Sequence, residues 1–261
     1  MNVLFDTTVL YMDKHGIYYY TLNLLKGLRE LKNPILNLTT SSLIYNRHLN
    51  ISMQFEALRR LPRFIKFHHA DLVYIPHPRL FAHIPLSFIL ATLGNYLVIT
   101  IHDVHFLVTK QRMFYKLKLL PRYLSISSFS NLFNNIFLTT VSKYAKRCIV
   151  NYLNVPKQKI EVIYPGIDNI FFRQYDVEYA KEHVRITFGI NKPYILYVGP
   201  MHPSKGVIRL IKAYKAAKRL GFKHELVLVG PLRMSRSFLN AVDSDVKYLG
   251  YIPREHLPYL Y

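Results

Sequence analysis

The residues best suited to chemistry follow apolar runs that are long enough to form buried strands. Lys205 and Gly206 lie in the stretch YVGPMHPSKG, where a predicted strand ends at Gly199 and a loop leads into a helix. A lysine at the start of a helix is unfavourable beside the positive end of the helix dipole unless an anion is bound there as well. The stretch therefore predicts a phosphate site, although it lacks the glycine spacing and the Lys-Ser/Thr pair of a P-loop.

His102 and Gly16 are weaker candidates at the ends of two other predicted strands. His102 lies in TIHD, directly after a strand, where a polar side chain would face a crevice; the alternative is a surface histidine followed by a helix-capping Asp103. Gly16 opens a helix after the first strand, where a glycine lets the backbone approach a phosphate or a sugar closely. A glycine before a helix is also an ordinary turn. The sequence shows no Cys and His with metal-ligand spacing.

The elements that must position these residues alternate along nearly the whole chain. Strand-length apolar runs followed by helix-length amphipathic stretches predict a parallel sheet with helices on both faces. In such open sheets ligands gather at the carboxyl ends of the strands. Strands are predicted at 2–6, 35–44, 71–76, 96–101, 136–141, 159–164, 191–199, 224–230 and 246–250. Helices are predicted at 16–31, around 55–66, at 142–153 with Ser142 as N-cap, and at 206–221.

The composition limits the kinds of protein that the chain can be. The chain has 261 residues, of which 51% are hydrophobic and 19% charged, so it can bury a substantial core. Cys148 is the one cysteine, which excludes an intramolecular disulfide and fits a reducing compartment. The N-terminus has no basic region and predicts a strand rather than a signal peptide. The uncharged stretch 84–101 is broken by Pro85 and Gly94, which favours a helix followed by a strand over a membrane span.

The net charge of +20 favours an anionic partner: nucleic acid, acidic lipid or a phosphorylated substrate. Residues 58–69 and 110–123 mix Arg and Lys with Leu, Phe and Tyr at spacings typical of basic amphipathic helices. Such helices lie on anionic membrane surfaces, and the alternative is a solvated face of a basic protein. We therefore expect a cytoplasmic protein, with peripheral attachment to the inner membrane face as one option. A nucleic-acid-binding role is disfavoured because no binding motif is found.

Taken together, these motifs resemble the family 4 retaining glycosyltransferases. The matching stretches are HGIYYYTLNLLKGL, TIHD, the run from Thr139 to Asp168, YILYVGPMHPSKGVIRLIKAY, ELVLVGP and LGYIPREHLPYLY. The resemblance implies an α/β protein of the GT-B type, with a complete N-terminal Rossmann-like domain for the acceptor (1–185) and a partial second Rossmann-like domain for a nucleotide-diphospho-sugar (186–261). It implies transfer of a hexose, with retention, to a lipid-linked or polysaccharide acceptor, without a metal or another cofactor.

The resemblance also implies roles for individual residues. Gly16 would face the transferred sugar and the donor phosphates, and His102 would touch the donor sugar. Lys205 would neutralise the leaving diphosphate, with Gly199 and Gly206 beside it in the donor site. Pro200 departs from the family pattern, which often has an arginine there, and Tyr18 stands where a small residue is common.

The last departure concerns the second domain. In the family, LGYIPREHLPYLY is followed by a further strand and by a helix that carries a pair of glutamates, and neither is in this sequence. We therefore expect a donor domain cut about midway, in which the strand YILYVG exposes a hydrophobic edge. Three states would follow: completion by a companion chain, a homodimer that covers the edge, or an inactive or split glycosyltransferase subunit.

Overall fold

The computed structural model describes residues 1–11, 16–31, 37–41, 69–78, 94–108, 113–234, 242 and 245–261. The helix predicted around 55–66, residues 84–93 of the uncharged stretch, and the basic residues 58–68 and 110–112 lie outside the described residues. The chain divides into two compact units, residues 1–166 and 167–261.

A parallel sheet of six described strands, in the order β2-β1-β3-β4-β5-β6, forms the centre of the first unit. The strands are β1 (Asn2–Asp6), β2 (Asn37–Ser41), β3 (Leu72–Ile75), β4 (Tyr96–Ile101), β5 (Ile136–Thr140) and β6 (Ile160–Val162). The described helices are α1 (Gly16–Glu30), α2 (His105–Val108), α3 (Met113–Leu132) and α4 (Lys143–Leu153). This arrangement confirms the predicted parallel α/β sheet.

Two apolar clusters cover the two faces of this sheet. Alternate residues of β4, Leu97, Ile99 and Ile101, point into a large cluster that includes Ile126 of α3 and Ile149 of α4. The opposite face packs against α1 in a smaller cluster. Both faces of the central strands are therefore buried, as in most parallel sheets, and the strand sequences are accordingly mostly apolar.

The capping of α4 follows the prediction. The Ser142 Oγ accepts a hydrogen bond from the Ala145 N–H at 3.1 Å, so Ser142 is the N-cap. The helix ends at Asn154, which adopts the left-handed conformation with φ +53°. None of the helices among the described residues is long and apolar enough to span a bilayer.

The second unit contains a smaller parallel sheet, with its three described strands in the order β7-β8-β9. The strands are β7 (Tyr194–Val198), β8 (Glu225–Val229) and β9 (Val246–Gly250), and the helices are α5 (Val177–Phe188), α6 (Val207–Arg219) and α7 (Leu257–Leu260). Among the described strands β7 lies at an edge, and its Ile195 and Val198 remain 38% and 37% exposed. The strand before Gly199 is therefore only partly buried, and the truncation from which the sequence analysis derives an open edge stays a prediction.

Helix α5 is not among the helices predicted from the sequence, in which residues 169–190 connect the two domains and show no strong strand signal. Asp176 caps the helix by accepting a hydrogen bond from the Tyr179 N–H at 2.9 Å, and Gly189 ends it with φ +63°. The helix packs against α7, within the second unit. The compact units accordingly divide after Gly166, whereas the sequence placed a boundary near residue 185.

Candidate functional site

His102 lies directly after β4, at the carboxyl edge of the first sheet, and its ring is hydrogen bonded to a backbone carbonyl. Its Nε2 lies 2.9 Å from the carbonyl oxygen of Pro76, which follows β3. A carbonyl oxygen can only accept a hydrogen bond, so Nε2 carries the proton. In the neutral ring Nδ1 is then the acceptor nitrogen, and the hydrogen bond to Pro76 selects this tautomer.

Two further rings pack against His102. The ring of Tyr20, from α1, meets it edge to face with centroids 4.7 Å apart and an interplanar angle of 86°. The ring of His77, after β3, lies 5.6 Å away. The structure therefore brings together residues from three elements that are distant in sequence. His77 and Tyr20 were not predicted, although His77 follows a strand in the stretch YIPHP and could have been found by the strand-end rule.

A chain of hydroxyl groups extends from Tyr20 into the sheet. The Tyr20 hydroxyl lies 3.2 Å from that of Tyr74 on β3, which contacts the Thr100 hydroxyl on β4. Thr100 Oγ1 in turn lies 2.7 Å from Thr139 Oγ1 on β5. Burial, followed by the neighbouring Tyr20 phenol, raises the pKa of Tyr74 far above its ordinary value. The Tyr74 hydroxyl therefore keeps its proton at neutral pH.

The turn that leads from β1 towards α1 is held by Asp6. Its Oδ1 accepts hydrogen bonds from the N–H of Thr8 at 2.9 Å and from the Thr8 hydroxyl at 2.5 Å. Gly16 is the first residue of α1 and is exposed, and a Cβ on it would meet no atom within 4 Å. Packing among the residues that the structure describes does not require a glycine there. Close approach of a ligand to Gly16 remains a prediction.

In the second unit, two glycines let the loops after β7 and β8 touch. A Cβ on Gly230 would lie 2.0 Å from the carbonyl oxygen of Gly199, so the two backbones are in direct contact. The loops are also paired by hydrogen bonds from the Met201 N–H to the Pro231 carbonyl (2.9 Å) and from the Arg233 N–H to the Met201 carbonyl (3.0 Å). Gly199 therefore belongs to a two-loop platform at the carboxyl edge of the second sheet.

Lys205 ends a short 3-10 helix, Pro203–Lys205, at one side of this platform. The helix is capped by His202, whose Nδ1 accepts a hydrogen bond from the Ser204 N–H at 3.2 Å. Gly206 then turns the chain into α6 with φ +70°, a conformation that favours glycine. The lysine side chain is exposed. The loop-to-helix arrangement is as the sequence predicts, and the phosphate-binding role of Lys205 remains a prediction.

A second cation lies at the start of α6. The guanidinium Nη2 of Arg209 folds back to 3.4 Å from the position that a Cβ on Gly206 would occupy. Within the part of the chain that the structure describes, neither Lys205 nor Arg209 forms an ion pair, whereas cations of α5 do: Lys181 with Glu178, and Arg185 with Glu182. Two positive charges without a carboxylate thus lie beside the positive end of a helix dipole, which favours a bound anion.

Among the described residues, no three His, Cys, Asp or Glu side chains converge in a way that could hold a metal ion. Independence from metal ions stays a prediction.

Comparison with known proteins places the chain in a family. The sequence profile named Glycosyltransferase Family 4 matches residues 13–169, more than half of the chain. The chain belongs to glycosyltransferase family 4. The match includes Gly16 and His102, whereas Lys205 lies beyond it.

One curated relative and several solved structures extend this result. The O-antigen chain mannosyltransferase B of Escherichia coli is 25% identical over 171 residues, which cover 63% of this chain and 44% of that protein. The match thus spans less than half of the relative's length. Anabaena HepE, solved in complex with UDP, superposes with a TM-score of 0.66 at 14% identity, covering 99% of this chain and 70% of HepE.

A second solved structure is the sucrose-phosphate synthase of Thermosynechococcus elongatus. Its superposition gives a TM-score of 0.71 at 14% identity and covers 100% of this family 4 chain and 73% of the synthase chain. At such identities the superpositions show the fold alone. They confirm the predicted GT-B class, built from Rossmann-like units.

Proposed function

We propose that this family 4 chain transfers a hexose from a nucleoside-diphosphate sugar to a lipid-linked or polysaccharide acceptor, with retention of the anomeric configuration. The observation that carries the proposal is the pair of cations Lys205 and Arg209 at the start of α6 beside the glycine platform, neither of which forms an ion pair with a described carboxylate. Two similar proteins support the substrate class: HepE was crystallised with UDP, and the Escherichia coli relative is named as a mannosyltransferase of the O-antigen chain.

The chemistry assigns Lys205 a specific task. The bond between the sugar C1 and the oxygen of the diphosphate breaks, and a bond forms between C1 and the acceptor oxygen on the same face of the sugar. The proton of the acceptor hydroxyl passes to the leaving diphosphate. Negative charge grows on the diphosphate as it leaves, and a fixed cation beside it lowers the barrier. No metal ion is needed if Lys205 and the N-terminus of α6 supply this charge.

His102 would contribute on the sugar side. The fixed tautomer presents Nδ1 as a hydrogen-bond acceptor, which suits a sugar hydroxyl. Gly16 would leave the start of α1 open to the same ligand. Replacement of His102 by alanine should therefore lower turnover more than it lowers the affinity for the nucleoside diphosphate, which has no sugar.

The acceptor side of the proposal rests on charge. A net charge of +20 suits an anionic membrane surface on which a lipid-linked acceptor would be found. We place the protein at the inner face of the membrane as a peripheral protein.

Calorimetry with UDP, GDP and ADP tests the donor site. At least one nucleoside diphosphate should bind, and Lys205→Ala should weaken it by about tenfold or more, because a hydrogen bond to a charged group contributes about 1.5–3 kcal/mol. The matched control is Lys212→Ala, an exposed lysine further along α6. Absence of heat with all three ligands, or an equal loss in both variants, would count against the proposal.

A second candidate is a glycosyltransferase subunit that turns over only with a companion chain or as a homodimer. The exposed edge of β7, with Ile195 and Val198, favours it. Under this alternative the purified chain binds a nucleoside diphosphate without transferring sugar to an added lipid-linked acceptor. Light scattering during size-exclusion chromatography separates the cases: a monomer that turns over sugar excludes the alternative, and a dimer supports it.

A further inference from the structure

We propose that the outer face of α4 binds the surface of an anionic lipid bilayer. This face consists of the exposed side chains Lys143, Tyr144, Arg147 and Tyr152, and we call it the basic tyrosine face. The inference deepens the proposed function and rests on it for the lipid-linked acceptor, because a bilayer surface is where such an acceptor is found. Charge, exposure and the packing of α3 beside α4 support it.

The segment that contains α3 and α4 carries cationic side chains and no anionic ones. Residues 104–160 include ten lysines and arginines and no aspartate or glutamate. Lys143 and Arg147 are exposed on α4, and neither forms an ion pair within the described part of the chain. Because no carboxylate of this segment cancels its positive charge, the segment attracts an anionic surface.

The stability of α4 does not account for its two exposed cations. Lys143 is the first residue of the helix, beside the positive end of the helix dipole, where a cation is unfavourable. Arg147 follows one turn later, and α4 contains no acidic residue that could pair with either. Lys146 differs from them, because its Nζ donates a hydrogen bond to the Ile160 carbonyl oxygen at 2.5 Å. Lys143 and Arg147 are therefore available to an external anion.

The two tyrosines make the face amphipathic. Tyr144 is 57% exposed and Tyr152 is 49% exposed, and their spacing of eight residues places both on one side of the helix, with the buried Cys148 between them. The Arg147 guanidinium lies 6.0 Å from the centroid of the Tyr144 ring, so a cation and an aromatic ring are presented together. Tyrosine is enriched at membrane–water interfaces, since its ring is apolar and its hydroxyl is polar.

The neighbouring helix extends this surface with apolar side chains. α3 lies beside α4, and the Asn131 side-chain amide donates a hydrogen bond to the Asn154 carbonyl oxygen at 3.2 Å. Leu124 and Leu132 of α3 are both exposed. At a bilayer surface, apolar and aromatic side chains enter the headgroup region while cations attract the anionic lipids. Exposed leucines and tyrosines beside the cations therefore favour a lipid surface over a nucleic acid, which would use the cations alone.

Sedimentation with lipid vesicles tests the basic tyrosine face. The wild type should bind vesicles of equal parts phosphatidylglycerol and phosphatidylcholine, and should not bind vesicles of phosphatidylcholine alone. The double variant Lys143→Ala/Arg147→Ala should bind the anionic vesicles about 25-fold more weakly, because each cation near an anionic surface contributes about fivefold. The matched control is Lys26→Ala/Arg29→Ala, which removes two exposed cations from α1 on the opposite face of the sheet. Its binding should stay within about twofold of the wild type.

Salt separates the contribution of the cations from that of the tyrosines. Raising NaCl from about 0.1 to about 0.5 M shortens the Debye length from about 10 to about 4 Å, so the effect of Lys143→Ala/Arg147→Ala should largely disappear. Tyr144→Ser/Tyr152→Ser should weaken binding by a similar factor at both concentrations, because the burial of apolar surface is not screened. All four side chains are exposed, so the melting temperature should be the same in each variant as in the wild type.

Two results would overturn the proposal. An equal loss of vesicle binding in the α4 and α1 double variants would show that net charge, rather than the basic tyrosine face, binds the lipid. Absence of binding to anionic vesicles, together with binding of a DNA duplex that Lys143→Ala/Arg147→Ala weakens, would show that the face binds a nucleic acid instead.

Calorimetry with UDP and GDP on the same proteins keeps this proposal distinct from the proposed function. Lys143→Ala/Arg147→Ala should bind each nucleoside diphosphate as the wild type does. Vesicle binding through α4 by a chain that binds neither nucleotide would support the basic tyrosine face and count against the proposed function. Binding of a nucleoside diphosphate without binding of anionic vesicles would overturn the basic tyrosine face alone.

Discussion

Replacement of Gly230 by alanine tests the glycine platform that carries the donor loop. The added Cβ would lie 2.0 Å from the Gly199 carbonyl oxygen and 2.6 Å from its carbon, both of them backbone atoms that no side-chain rotation can move. Real Cβ contacts lie beyond 3.0 Å, so the two loops must separate by about 1 Å. The backbone at Gly230, with φ +138°, is also a conformation that alanine rarely adopts.

The expected loss of stability is the sum of two contributions, the separation of the two loops and the unfavourable backbone conformation at position 230. A separation of about 1 Å removes the Met201–Pro231 and Arg233–Met201 hydrogen bonds, each contributing about 1 kcal/mol. The glycine-only backbone adds about 1–3 kcal/mol. Gly230→Ala should therefore lower the free energy of opening of this platform by about 3–5 kcal/mol. Binding of nucleoside diphosphates should weaken too, because Lys205 follows the displaced loop.

Hydrogen exchange monitored by mass spectrometry measures this locally, which suits a chain of two units whose unfolding need not be a single transition. The matched control is Gly221→Ala in the same unit. Gly221 has φ +90°, but a Cβ there would meet no atom within 4 Å, so it isolates the backbone term of about 1–2 kcal/mol. The reasoning is refuted if peptides spanning 194–201 and 225–233 exchange no faster in Gly230→Ala than in Gly221→Ala.

Three further predictions concern the first unit and the metal requirement. Ser142→Ala should destabilise the fold by about 1 kcal/mol in urea titrations through loss of the N-cap of α4, while Ser125→Ala, whose hydroxyl bonds back to the Pro121 carbonyl within α3, should not. Because the pKa of Tyr74 is raised in the folded state, its contribution to the free energy of unfolding is complete below about pH 10 and falls by up to about 1.4 kcal/mol per pH unit above it. Urea titrations at pH 9, 10 and 11 should show that the free energy of unfolding falls less steeply with pH in Tyr74→Phe than in the wild type. Equal slopes in the two proteins would contradict this prediction. Sugar transfer should survive EDTA, and loss of activity that Mg²⁺ restores would show that Lys205 and α6 do not suffice.

The strands and the principal helices could be predicted from the sequence because burial leaves a clear pattern. β4 was predicted at 96–101 and is found at Tyr96–Ile101, since a largely apolar run ends at the polar His102. Helix α6 was predicted at 206–221 and is found at Val207–Arg219. In both elements most of the apolar residues are buried or half-buried, which is the condition under which periodicity predicts structure.

Helix α5 could not be predicted because its apolar residues do not define one buried face. Val177, Tyr179 and Ile186 are 63%, 59% and 70% exposed, and Val184 is its one buried residue. The signals in the sequence that could have predicted this helix are the N-cap residue Asp176 and the glycine at its end, Gly189.

The sequence predicted where along the chain the site residues lie, but not which residues contact one another. Strand ends identified His102, Gly199 and Lys205, and the same rule could have identified His77, whereas the contacts of Tyr20 and Gly230 are with residues that are remote in sequence. Such pairings depend on strand order and on the placement of α1, which a single sequence does not specify.

The hydroxyl chain beneath α1 has a property that a row of apolar side chains would lack. Each hydroxyl oxygen in the chain carries one proton and can also accept a hydrogen bond. All of the hydroxyls can therefore reverse the direction of their hydrogen bonds together while every heavy atom keeps its position. The outermost phenol can therefore present either polarity, according to the direction in which the protons are ordered. A side chain that approaches Tyr20 would meet a partner able to adapt to it without any rearrangement of the fold.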